Sequence, residues 1–323
     1  MSLPAALSAR LRLPLIAAPM FLVSGPALVT AACRAGVIGS FPTANCRTVE
    51  ELDAWLAEIG RATEGTAPFC PNLIVHRSNP RVLDDLAAVL RARAEIVITS
   101  VGSPEPVMKP LKDAGCLVLA DVASVRHAEK AVAAGVDGLV LLTAGAGGQT
   151  GWANPFAFVR AVRRFWDGIV VMAGGMSDGH AIAAAETLGC DLAYMGTRFI
   201  ATRESLAKPG YKDMLVQSRL DDVKLTRAFT GLETNMLRPS IEAAGLDPDN
   251  LPERGDIDIS KDINASEREK PNAKRWKDIW SAGHSVSGVS DVPSVAELVE
   301  RTAAEYEAAR GTGRATAARS SRA

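Results

Sequence analysis

Aromatic side chains are scarce in this 323-residue chain, at 5%, and its five cysteines (Cys33, Cys46, Cys70, Cys116, Cys190) each stand alone. Without a Cys-x-x-Cys pair or a histidine at ligand spacing, neither a disulfide framework nor a zinc site is encoded, so no metal is expected. Buried free thiols of a reducing compartment are the reading that remains. An excess of either charge is missing too: 36 Lys and Arg against 37 Asp and Glu leave a formal net charge of -1. That balance gives no global field to draw nucleic acid or an anionic membrane. The longest apolar run, Leu13 to Val23, holds two prolines and is about half of the ~20 residues that span a bilayer. The start Met1-Ser2-Leu3-Pro4 lacks the basic residues and apolar stretch of a secretory signal. The expectation is a cytoplasmic protein with a small-molecule partner.

What the chain does have is alternation. Hydrophobic residues make up 47%, gathered in short runs of strand length with helix-like segments between them, the pattern of parallel βαβ units. The candidate strands are Pro14–Ala18, Gly36–Ser40, Phe69–Val75, Ile96–Ser100, Cys116–Asp121, Gly138–Thr143, Gly168–Ala173 and Leu192–Gly196. Most are apolar on both faces, as strands covered inside and outside a barrel should be. Helix starts are marked at Thr48 with Glu51, at Ser124, and at Asn154-Pro155. Eight such units predict one α/β domain, a TIM (β/α)8 barrel. Its expected extent is residues 1–202 and 286–310. Residues 203–285, rich in charge and proline, read as a helical insertion or lid over the C-terminal mouth, and 311–323 as a flexible tail.

The chemistry gathers at the last two strand ends. Gly174-Gly175-Met176 follows strand seven and Gly196-Thr197 follows strand eight. Paired glycines let backbone amides approach an oxyanion, and the standard phosphate site of a barrel lies between these two loops. The helix after Gly179 would add the positive end of its dipole. Gly145-Ala146-Gly147-Gly148 is not a dinucleotide fingerprint, because Thr150 stands where a third glycine is needed.

The ordered set of Ala18-Pro19-Met20, Asn72, Ser124-Val125-Arg126-His127-Ala128, Gly147-Gly148, Gly174-Gly175-Met176 and Gly196-Thr197-Arg198-Phe199 resembles the nitronate monooxygenases, formerly 2-nitropropane dioxygenases. The resemblance runs over roughly residues 10–310 and implies FMN as cofactor, with a nitronate and O2 as reactants. It further implies that Ala18, Pro19 and Met20 meet the isoalloxazine edge and that Asn72 hydrogen-bonds the ring. Gly174, Gly175, Met176, Gly196 and Thr197 would hold the phosphate, with Gly147 and Gly148 beside the cofactor. A homodimer is the assembly considered.

One position departs from that family. The pattern Gly-Gly-His-x-Gly, whose histidine serves as base, reads Gly147-Gly148-Gln149-Thr150-Gly151 here. A glutamine amide donates and accepts hydrogen bonds but takes up no proton near neutral pH. Asp121, ending strand five, and His284, where the chain returns to the barrel, are the other ionisable catalytic candidates beside Gln149. Two alternatives to nitronate oxidation therefore stand: an NAD(P)H-dependent FMN reductase of quinones or enoyl thioesters, and a catalytically silent flavin-binding barrel.

Overall fold

In the computed structural model, which describes residues 3–252 and 278–320, eight parallel strands close a barrel. They are β1 (Leu15–Ala17), β2 (Ile38–Pro42), β3 (Phe69–Ile74), β4 (Ile96–Ser100), β5 (Leu117–Val122), β6 (Gly138–Leu142), β8 (Ile169–Ala173) and β9 (Leu192–Met195). The remaining strand of this stretch, β7 (Gly148–Gln149), lies outside the barrel. Pairing of β1 with β9, Ile16 opposite Tyr194, closes the ring. The predicted TIM barrel is thus the observed fold.

Period-two alternation explains the two cores. Side chains pointing inward, among them Ile16, Ile38, Cys70, Ile98, Leu119, Val140 and Val171, fill the barrel, while outward residues such as Leu73, Val97, Val118 and Val170 pack under the helices. Helix starts follow local chemistry: the Thr48 hydroxyl accepts from the Glu51 amide, Ser124 from that of His127, and Asn154 from Phe156 just after Pro155. The last helix, Val295–Ser320, closes the bottom of the sequence-order ring against the helix Gly179–Leu188. Gly179 makes that approach feasible, since a Cβ there would lie 2.1 Å from the Tyr306 nitrogen.

Two expectations are corrected. The segment read as a helical insertion also carries strands: β10 (Val223–Thr226) and β11 (Thr234–Leu237) form an antiparallel sheet in the order β10-β11-β7, with Thr234 opposite Gln149. Each run is four residues long, and its third strand comes from the loop after β6, so no local pattern announced it. The stretch expected as a tail enters the last helix, which runs through Ser320.

Candidate functional site

Every barrel strand points its C-terminal end toward a single cavity of about 370 Å³. From the barrel it is lined by Ala18-Pro19-Met20, Asn72, Ser100, Asp121, Gly174-Gly175-Met176, Tyr194, and Gly196-Thr197; Gly147, Gly148 and Gln149 face it from the loop after β6. The insertion adds Tyr211, Leu232, Trp280 and Ser281. The barrel ends therefore form a floor and the small sheet with its neighbours a roof.

The loop after β1 is held by side chains rather than by regular structure. Ser24 accepts from the Met20 amide at 3.0 Å, and the Asn45 amide donates to the Met20 carbonyl at 3.1 Å. The loop after β6 is pressed against the returning chain, with the amide of Gly283 donating to Thr197 Oγ1 at 3.0 Å and that of His284 to the Gly145 carbonyl at 2.9 Å. Asn235 on β11 donates to the Ala146 carbonyl at 2.8 Å, tying the roof sheet to this loop.

At the two glycine loops the backbone is shaped for close approach. Gly174 has φ +112°, and a Cβ there would lie 2.4 Å from Thr143 Oγ1; Gly175 has φ +74°, and a Cβ there would meet nothing within 4 Å. Gly175 therefore opens its surface to the cavity. The first turn of the helix that follows is partly occupied from within the protein. Its first amides are already taken by carboxylates, Gly179 donating to Glu305 and Ala181 to Asp178, both at 2.9 Å. An oxyanion here would rely on the loop amides and the Thr197 hydroxyl.

The floor is polar in an apolar barrel. Asn72 on β3 donates its amide to Ser100 Oγ at 3.0 Å, a partner on β4 that answers the buried amide without any ligand. Asp121 on β5 has no such partner: its Oδ1 is sealed from solvent with no hydrogen bond. Burial pushes its carboxyl up to about 7, and the buried phenol of Tyr194 is raised above its usual range by burial and by the nearby Asp121.

The structure brings Ala18, Pro19, Met20, Asn72, Asp121, Gly147, Gly148, Gln149, Gly174, Gly175, Met176, Gly196 and Thr197 around this one cavity. His284 is not among them. It is exposed, with its ring against the outer side of Gly145, because the glycine loop lies between it and the cavity. His76 bonds Ser78, and Trp152 is 76% exposed. Burial holds the Cys33, Cys46 and Cys190 thiols up at about 12. Among the described residues no cluster of three or more His, Cys, Asp or Glu could hold a metal, and no helix is long and apolar enough to cross a membrane.

Cavity residues that were not singled out in the sequence include Ser100, Tyr194, Tyr211 and Trp280. Ser100 and Tyr194 each sit at or near the end of an apolar strand, the same signal that marks Asp121. Tyr211 and Trp280 had no motif; their rings stack at 5.0 Å and 11°, and the Tyr211 hydroxyl donates to the Ser281 carbonyl.

Residues 81–305 match the sequence model of the family described as nitronate monooxygenase. The nitronate monooxygenase of Paraburkholderia phytofirmans is 29% identical, over 91% of this chain and 92% of that protein. The (3aS,4S,5R,7aS)-5-hydroxy-7a-methyl-1-oxo-octahydro-1H-indene-4-carboxyl-CoA dehydrogenase of Rhodococcus jostii is 26% identical, over 86% of this chain and 76% of that protein. Among solved structures, the nitroalkane oxidase of Streptomyces ansochromogenes superposes with a TM-score of 0.80 at 25% identity, covering 95% of this chain and 99% of that one.

Proposed function

Because the chain belongs to the nitronate monooxygenase family, whose members are flavin-dependent oxidoreductases, we propose that it binds FMN in the barrel mouth and oxidises alkyl nitronates with O2. The observation that carries the reading is the convergence of both glycine loops, the loop after β1 and Gln149 on one cavity. The residues present fit the group. Gly175 leaves room for a phosphate, the walls at Ala18 and Met20 suit a planar ring, and Asp121 lines the floor with an oxygen that has no partner among the described residues. Gly174, Gly175, Met176, Gly196 and Thr197 would hold the phosphate; Ala18, Pro19, Met20, Asn72, Gly147 and Gly148 would border the ring. Bound there, FMN supplies a two-electron acceptor.

The chain's own part follows from Gln149. On the roof, with its backbone paired to Thr234, its side-chain amide can donate to the oxygens of a nitronate, a substrate already ionised. A neutral nitroalkane must first lose a carbon-bound proton, and an amide does not take one.

At pH 7 the purified protein is expected to turn over propyl-2-nitronate and to act on 2-nitropropane at least tenfold more slowly. Gln149→His is expected to raise the nitroalkane rate, within the 10²- to 10⁴-fold range that a general base supplies. Equal rates on the two substrates in the wild-type chain would refute the role given to Gln149.

A second reading has one specific support, the similarity to a carboxyl-CoA dehydrogenase. In it the same cavity takes an acyl thioester and a nicotinamide donor or acceptor. Anaerobic addition of NADPH bleaches a bound flavin under this reading and leaves it yellow under the first.

A further inference from the structure

Resting on the flavin reading above, we propose that Asp121 is a cofactor-binding residue that acts in its protonated form, its O–H donating to an acceptor on the floor side of the isoalloxazine ring. Asp121 lies on β5 opposite Val140 of β6, and its side chain reaches the cavity from below. Its Oδ1 is closed off from solvent and meets no donor among the described residues. Asn72, two strands away on the same floor, has its amide answered by Ser100. Among the described residues Asp121 is a floor carboxyl whose hydrogen-bonding capacity is left unused.

The surroundings favour the neutral form. Among the described residues a carboxylate here would have no positive charge to pair with: the titratable groups that feel it are Cys70 from β3 and Tyr194 from β9, and the Ser100 hydroxyl on β4 is committed to Asn72. Lys208 lines the cavity but belongs to the insertion, where it pairs with Asp278 at 3.1 Å. Cys70 and Tyr194 are both raised above their usual ranges by burial, so between pH 5 and 8.5 Asp121 is the floor group that changes charge. An isoalloxazine edge carries two carbonyl oxygens and ring nitrogens, acceptors that a carboxylic acid satisfies and a carboxylate repels. An unpaired buried acid with a partner waiting in a ligand removes the cost of leaving it orphaned.

The sign of the pH dependence follows. A carboxyl that is neutral below about 7 holds the ring there and loses its donor as pH rises, weakening affinity by up to tenfold per unit above that point. The test is a fluorescence titration of the apoprotein with riboflavin from pH 5.5 to 8.5. Riboflavin lacks the phosphate, whose own ionisation near pH 6 would intrude. Wild type should bind tightly at pH 5.5 and progressively more weakly above 7. Asp121→Asn keeps an N–H donor without a titrating group and should give a flat profile. Asp121→Leu should bind weakly throughout, near the wild-type value at pH 8.5. A flat wild-type profile, or a wild-type slope retained in Asp121→Asn, overturns the proposal, and the wild-type curve decides even if a variant fails to fold. Absence of riboflavin and FMN binding at every pH would instead overturn the flavin reading itself.

Discussion

Gly174 and Gly175 are adjacent, both in the left-handed region, and yet predict different consequences when replaced. A Cβ on Gly174 collides with Thr143, so Gly174→Ala should cost stability, about 2 kcal/mol from overpacking plus the backbone penalty, measured as a lowered urea midpoint. In Gly175→Ala the added Cβ meets no protein atom; its stability loss should stay near about 1–2 kcal/mol from the backbone alone, while FMN affinity falls at least tenfold. Similar affinity losses without that contrast in stability would count against the cradle. Asp121 makes a second prediction for the unliganded protein. Its folded carboxyl sits at about 7 against an ordinary 3.8, so the folded state binds the extra proton between those values and stability declines as pH rises from 4 to 7. Asp121→Asn should therefore gain on wild type in urea midpoint as pH goes from 5 to 8; a constant gap would contradict the raised carboxyl. At this scale much was legible, because a polar or glycine residue closing an apolar strand marks the mouth of a barrel. His284 was misplaced for the converse reason. Its position along the chain brought it near the site, but the side of the Gly145 loop on which it falls is set by packing.

At the scale of elements, the eight barrel strands and the helix caps could be read because their signals are local: a run of apolar residues, then Thr48, Ser124 or Asn154 at the next helix start. The roof sheet could not. Gly148–Gln149 becomes a strand only because Thr234 and Asn235 arrive beside it from about 85 residues away, and two-residue strands have no period to detect. The seam between the last helix and the helix Gly179–Leu188 is similarly non-local. Gly179 was read as the start of an anion-binding helix, whereas its lack of a side chain serves contact with Tyr306, and its amide serves Glu305. Gly179→Ala should force this seam apart and cost about 2–3 kcal/mol, and thermal unfolding with and without FMN checks it. If the loop after β8 is carried by this helix, the FMN-induced rise in melting temperature shrinks as well. A variant as stable as wild type would show that the seam yields easily.

For the whole molecule, the barrel and its insertion divide the work: strand ends supply the polar floor and the glycine loops, and the insertion supplies a roof with the stacked pair Tyr211 and Trp280. The division accounts for how the residues after position 203 can lack any recognisable motif and still complete the cavity. On the proposed reading it also separates cofactor binding, assigned to the glycine loops, from the choice of substrate, assigned to Gln149 and the roof. The most direct test is an anaerobic titration of the purified protein, loaded with FMN, using propyl-2-nitronate while the visible absorption is followed. The account predicts a yellow protein whose flavin band bleaches with nitronate and returns on admitting air. A protein that takes up no FMN, or whose flavin ignores the nitronate and bleaches with NADPH, would contradict it.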